Sequence, residues 1–396
     1  MSPVARGDGV VDASGLRLIG HSDLGGCGDG MQVLRHRDAL YVGHTGPSGM
    51  GTSILDVVDP RRPRLVAQWP APPDTHTHKV QVGDGLLLTN EEQFPFGGEP
   101  DDGEHRGVVV YSLDEPLAPR RIGAWHCGGR GAHRLVYTGG RYAHLSATPA
   151  GFADRVWVVL DLADPSRPVE AARWWWPGQG PGEQPDWQES ERYAAHHAMI
   201  DGDRAFLGYG HGNLVVLDVA DRARPRRIGG ARWDGGDTHT CLPLAGRGLV
   251  VCTDEQTTPG PGAPERRIRV LDVSDPTAPR SLALVPAPDA EYARRGLRFG
   301  PHNLHENRPG TYTSDSLVFA TYFNAGLRVY DLADAQVPVE VAHWVPDPPQ
   351  GQEAAQINDL LVEERALIWV TDRVGGGVYA LEPEPELAAL MRERAA

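Results

Sequence analysis

The chain has 396 residues and a formal charge of −15 at pH 7, a balance that argues against nucleic acid or an anionic membrane surface as the main partner. No apolar run approaches the ~18 residues of a membrane span, and the opening MSPVARGDGVVDASG lacks the apolar stretch of a secretory signal. With only Cys27, Cys127, Cys241 and Cys252, the reading is a cytoplasmic protein with free thiols, and 48 glycines and 34 prolines predict many short strands and turns.

The first element is GLRLIGHSDL, Gly15 to Leu24, which mimics a strand that recurs later as PRRIGAW. A motif of the form Leu-x-Asp-apolar-x-Asp-Pro-x-x-Pro then follows. It appears as ILDVVDPRRP, VYSLDEPLAP, VLDLADPSRP, VLDVADRARP, VLDVSDPTAP and VYDLADAQVP, ending at Pro63, Pro119, Pro168, Pro225, Pro279 and Pro338. The intervals are 56, 49, 57, 54 and 59 residues, close to the period of a four-stranded propeller blade with some long loops. Before each motif strand lies a hairpin. DTHTHKVQVGDGLLLTNEE (Asp74 to Glu92) aligns without a gap to DTHTCLPLAGRGLVVCTDE (Asp237 to Glu255), each an apolar strand, a tight turn and a second apolar strand. After each motif a fourth strand closes the unit, and Trp69, Trp125, Trp174, Trp233 and Trp344 end five of these, placed to pack between blades.

First strands fall near residues 30, 76, 133, 196, 239, 302 and 357. The predicted fold is therefore all-β, one seven-bladed β-propeller spanning residues 1–396. Residues 15–24 supply the missing strand of the last blade and close the ring, and residues 385–396 form a helical or frayed tail. The LDV-DP-P copies, TYFNAGLRVYDLAD (Thr321 to Asp334) and NDLLVEERALIWVTDRVGGGVYAL (Asn358 to Leu381) resemble the LVIVD-repeat family of bacterial β-propeller proteins across nearly the whole chain. The resemblance implies the fold and no particular reaction.

Five of the six strands that follow a motif open on histidine: THTH, GAHRL, AAHHAM, DTHTC and GPHNLH. Aligning the strands by their hairpin turns puts Asp29, His76, His133, His197, His239, His302 and Asn358 near one level at the rim of a central channel. His78 shares a strand face with His76, so either ring can occupy that level, whereas His196 and His197 point to opposite sides. Converging imidazoles without thiolate suit a transition metal, Fe or Cu first and Zn or Mn next, with His76, His78, His133, His197, His239 and His302 as the ligand candidates. The ends of the second strands lie at the same face, which makes Glu91, Glu92, Asp254 and Glu255 candidates to orient the rings or to act as acid and base. The long connections 93–106, 177–195, 256–266 and 286–301 emerge on that face too. Cys241 and Cys252 are symmetric about the AGRG turn and so directly opposed, and Cys241 shares a strand face with His239.

No GxxxxGK[ST], strand-GxGxxG-helix or GxSxG pattern is present, and HNLHE at 302–306 lacks the HExxH order. The leading functional expectation is a metal-dependent enzyme with a His-ligated metal on the axis, doing oxidative chemistry on a small organic substrate. Carotenoid oxygenases and selenium-binding methanethiol oxidases use His-rich axial metal sites on seven-bladed propellers, an analogy at the level of fold. The alternatives are a metal-assisted hydrolase or lyase, and a non-catalytic binding scaffold whose histidines only line the channel.

Overall fold

The computed structural model describes residues 10–96, 105–260 and 262–396. The part of the 93–106 connection at 97–104 lies outside these. Among the described residues the structure is all-β apart from one helix, Pro385–Arg394, and two short 3-10 turns.

Its repeating unit is a four-stranded antiparallel meander, and the clearest is Gly30–His36, Ala39–His44, Met50–Asp56 and Arg64–Pro70 in consecutive order. Local chemistry explains each turn. Asp84 and Gly85 sit at φ +47° and +71° between the paired residues Gly83 and Leu86, the two-residue turn that an Asp-Gly dipeptide favours. The repeated motif builds the third turn from its two aspartates. The first ends the third strand: Asp56, Asp218 and Asp272 each accept from the backbone N–H two residues on, and each pairs with an arginine at the start of the fourth strand, Arg64, Arg226 and Arg280. The second folds the turn itself, as where Asp59 accepts from Arg61 N–H and Asp275 from Thr277 N–H, both at 3.0 Å.

Units dock through glycines in the fourth strands. A Cβ on Gly20, Gly123 or Gly229 would lie 2.1, 2.3 or 2.0 Å from the carbonyl oxygen of Pro60, Pro165 or Pro276, in the motif turn of a neighbouring unit. That close approach accounts for the Ile-Gly pair repeated in these strands. Valine, leucine and isoleucine from facing sheets fill the space between units, with Trp157, Trp344 and Trp369 fully buried among them. Trp69 stacks on Tyr111 at 4.7 Å, and Trp125, Trp174 and Trp233 pack at the same kind of boundary.

First strands of successive units lie side by side: Gly30–His36 against Val80–Gly83 on one side and against Ile357–Val362 on the other. Leu16–Ser22 pairs with Gly377–Pro383 from the other end of the chain, making a four-stranded sheet with Ile357–Val362 and Ile368–Asp372. Val10–Ser14 has a role that the sequence did not suggest, pairing with Val339–Pro346 as an outer strand of the preceding sheet. In the helix Leu387 and Met391, one turn apart, are buried beside Leu16, and Tyr312 Oη donates to Met391 O.

Candidate functional site

One irregularity organises the first strands. Where each enters its hairpin, two residues face one residue of the second strand. Pairing skips His133 between Ala132 and Arg134, His239 between Thr238 and Thr240, and Asn358 between Ile357 and Asp359. In the same way Gly208 bonds to both His196 and His197, and Thr321 to both His302 and Asn303. A bulge re-aims the extra side chain and reverses the alternation of everything before it. Apart from Asn358, the extra residue faces a cavity of about 560 Å3, lined by His78, His133, His196, His239 and His302 with Met31 at the same phase in the 30–70 unit.

Several sequence-based placements change for that reason. His196, not His197, joins the ring cluster: counting ladder pairs from the turn misses the bulge by one residue. His78, not His76, is the phase equivalent of His239, yet His76 also borders the cavity because it lies two residues away on the same side. Met31 takes the level assigned to Asp29, whose carboxylate instead pairs with His44 Nδ1 at 2.7 Å. Cys241 faces its neighbour Cys252 across the hairpin as expected, Sγ to Sγ 3.3 Å with both thiols free. The bulge at His239 turns Cys241 away from the cavity and into the apolar cluster with Phe206 and Val250, which removes the basis for a ligand role.

The carboxylates divide by strand alternation. Glu92 and Glu255 line the cavity, while Glu91 and Asp254, one residue earlier, do not. Burial pushes Glu91 up to about 7 near Arg121. Asp254 is pushed up by burial to about 6 and accepts hydrogen bonds from Thr238 Oγ1 at 2.6 Å and Trp233 Nε1 at 2.9 Å, so it ties a strand start to the outer sheet.

Six imidazoles run round the cavity as an arc. Ring centroids are 4.1 Å apart for His76 and His78, 4.9 Å for His78 and His133, 4.8 Å for His133 and His196, 3.6 Å for His196 and His239, and 4.4 Å for His239 and His302. Burial drives His78, His133, His196, His239 and His302 well below the usual histidine range, with neighbouring cations and rings adding to the effect. These five rings are neutral at pH 7 and keep a lone pair available.

Hydrogen bonds then select the tautomers. His302 has Nδ1 against a backbone carbonyl, Asn358 O at 2.7 Å, so Nδ1 carries the proton and Nε2 is left bare. His76 is bonded at both nitrogens, Nδ1 to Thr45 O at 2.9 Å and Nε2 to Glu92 Oε2 at 2.9 Å, and has no bare nitrogen. His133 Nδ1 donates to Glu92 Oε2 at 2.7 Å. Its Nε2 lies 3.0 Å from His196 Nε2, the separation of two adjacent nitrogens each about 2.1 Å from one ion. Asn90 Nδ2 donates to His78 Nδ1, which places that ring's proton on Nε2, a buried atom with no partner among the described residues. His78 in this tautomer is a donor towards an occupant of the cavity. His196 Nδ1 is likewise buried and without a partner.

Two groups have ligand atoms all within 4.8 Å of one another and could hold a metal ion by proximity: His76, His78 and Glu92, and His196, His239 and Glu255. The first group would have to give up the bonds of Asn90 to His78 and of Glu92 to His76. Glu255 stands 3.9 Å from His239 Nε2 and 3.7 Å from His302 Nε2, and accepts from Arg298 Nη1 at 3.0 Å. The neutral rings, the bare nitrogens and the two carboxylates fit a divalent transition metal.

Below the histidines the next residue of each first strand supplies a polar plug. Arg134 Nη2 reaches Glu306 Oε1 at 2.7 Å, Arg308 Nη1 reaches Oε2 at 3.0 Å, Gln32 Nε2 donates to Oε1 at 3.3 Å, and His197 Nε2 lies 3.3 Å from Oε1. Burial alone would raise Glu306, but His197, Arg134 and Arg308 hold it well below the carboxylate range. Sequence reading missed this plug and missed Lys79, Arg155 and Arg298 in the cavity wall. The available signal was charge on otherwise apolar strands, as in THTHKVQV.

No family model and no curated protein matches the chain. Solved structures do. The RRP9 WD40 repeats align with a TM-score of 0.60 at 10% identity, covering 94% of this chain and 100% of that one. The Cps50 (Swd1) β-propeller domain of Myceliophteria thermophila aligns at 0.57 and 14%, covering 90% and 97%. The periplasmic gluconolactonase PpgL of Pseudomonas aeruginosa aligns at 0.57 and 13%, covering 87% and 97%. At such identities the likeness establishes a propeller fold and nothing of chemistry.

Proposed function

We propose that this protein is a metal-dependent enzyme, built on a seven-bladed propeller whose ring is closed by Leu16–Ser22, that acts on a small organic molecule in the histidine cavity. The observation carrying the reading is the bulge that turns one imidazole after another into a single cavity beside Glu92 and Glu255. His133 Nε2 and His196 Nε2, 3.0 Å apart, stand where one ion would join them.

A bound transition metal would supply Lewis acidity and, for Fe or Cu, redox chemistry. His133, His196, His239 and His302 would hold it, with Glu92 orienting His133 through a bond of 2.7 Å and also holding His76 at 2.9 Å. The polar plug around Glu306 lies under the rings, and the 177–195 and 286–301 segments contribute Arg192 and Arg298 to the wall. Oxidative chemistry is the first reading, since an imidazole-rich, thiolate-free set suits Fe or Cu. Metal-assisted hydrolysis is the second, favoured by Glu255 standing free of direct imidazole bonds at 3.7 to 3.9 Å, the place of a base beside a bound water.

Elemental analysis of untagged protein from cells supplied with Fe, Cu, Mn and Zn tests the proposal. Stoichiometric Fe or Cu with substrate-dependent O2 uptake supports the oxidative reading, and stoichiometric Zn or Mn supports hydrolysis. No metal after purification and after reconstitution overturns the enzyme reading in favour of a binding scaffold.

A further inference from the structure

The cavity wall carries a surplus of fixed positive charge in a chain whose net charge is −15. Arg130, Arg155, Arg192, Arg298 and Arg373 line it, against the carboxylates of Glu92, Asp154 and Glu255. Among the described residues three of these arginines lack a close carboxylate partner: Arg130, which bonds Gln93 Oε1 at 3.2 Å, and Arg155 and Arg373. Arg155 is 9% exposed, its Nε is buried without a hydrogen-bond partner, and its nearest carboxylate, Asp154 at 3.8 Å, is already held by Arg192 at 2.7 Å. Among the described residues the Arg373 side chain reaches Asn358 Oδ1, at 3.4 Å, and no carboxylate within hydrogen-bond distance. A guanidinium out of water without a counter-ion is costly, and a planar fork of N–H donors is matched best by a carboxylate. A divalent ion in the neutral histidine set would add to the surplus.

Part of the same cavity's lining is apolar. Phe94 stacks on His76 at 5.0 Å and Phe96 meets both edge-on, at 5.1 Å from His76 and 5.7 Å from Phe94. Phe96 is 60% exposed, a large ring held at the cavity mouth with little else to cover it. Met31 completes this wall.

We propose that the cavity binds a small organic carboxylate, its anionic group held by Arg155 and Arg373 and its apolar or aromatic body laid against Phe94 and Phe96. This names the substrate class of the proposed enzyme and rests on that reading for its chemistry, but the binding itself needs no metal. A monoanion suits the wall better than a phosphate ester, because Glu92 and Glu255 repel a second negative charge.

Calorimetric titration of the full chain, both metal-loaded and stripped with EDTA, separates the two ideas. The probes are benzoate, phenylacetate and 3-phenylpropionate, each against its neutral amide, with phenyl phosphate as a further anion. At least one acid should bind about tenfold more tightly than its amide in both forms of the protein. Arg155→Gln and Arg373→Gln should each remove about tenfold of that preference without changing the circular dichroism spectrum. Acid binding in protein that takes up no metal would sink the metal reading and leave this one standing. The proposal is overturned if no acid outbinds its amide, if both arginine variants bind as the parent does, or if phenyl phosphate binds more tightly than every acid.

Discussion

His196 and His197 are adjacent, both buried and chemically identical, yet the bulge gives them separate work. His196 joins the arc of rings, 3.0 Å from His133 Nε2, while His197 is held down to about 4 by burial and sits against Glu306 in the plug below. His196→Ala should therefore weaken metal affinity by at least about tenfold in chelator competition. His197→Ala should leave that affinity nearly intact and cost ~1–3 kcal/mol of stability in urea titration, because buried Glu306 loses a neighbour. Equal metal loss in both variants would contradict the register. His144 shows a residue-scale effect with no link to the cavity. Stacked on Trp157 with ring centroids 5.5 Å apart, it is driven by burial from an ordinary 6.5 down to about 3. Between those values the unfolded chain binds a proton that the folded one does not. The group's contribution is thus complete above about pH 6.5 and is lost as the pH falls below it, by up to ~1.4 kcal/mol per unit. His144→Phe should flatten the fall in Tm between about pH 6.5 and 4.5, and an unchanged slope would assign the acid sensitivity to other groups.

At the scale of elements, the repeat is a device for making turns and for letting them dock. The motif aspartates fold the turn between third and fourth strands, and the glycine of the following strand lets another unit's turn come within reach of the backbone. Gly123→Ala should cost ~1–3 kcal/mol by thermal or urea denaturation, since its Cβ would stand 2.3 Å from Pro165 O and backbone must move. A loss below about 0.5 kcal/mol would show that the turn gives way freely. These elements were legible in advance because their causes are local: Asp and Pro preset a turn, Asp-Gly a hairpin, alternation a strand. The bulges were not. A bulge depends on what a side chain meets across the sheet and at the cavity, and no residue in DTHTC or AAHHAM announces it. So the histidines were identified as a set, while the choice between His196 and His197, the exclusion of Glu91 and Asp254, and the direction of Cys241 waited on strand register.

Over the whole molecule, the first described strands are tied into sheets with strands from late in the chain. Val10–Ser14 lies along Val339–Pro346, and Leu16–Ser22 along Gly377–Pro383, with Leu16 buried against the C-terminal helix. Deleting residues 1–24 would leave Gly377–Pro383 as an open edge and uncover Tyr379, Leu381 and Leu387. Such a variant should lose about 5 °C or more in Tm and aggregate on storage, as scanning calorimetry and light scattering would report. Full retention of Tm would mean that the last sheet stands without its outer strand. The sequence alone determined the periodic strand pattern, the turns and the gathering of imidazole at one phase, because each follows from short-range chemistry repeated at a fixed interval. Tertiary structure decided which atoms meet. The plug at Glu306, the cationic wall of Arg155 and Arg373, and the pairing of His133 with His196 join residues from different units, whose separation in the chain carries no information about their distance in space.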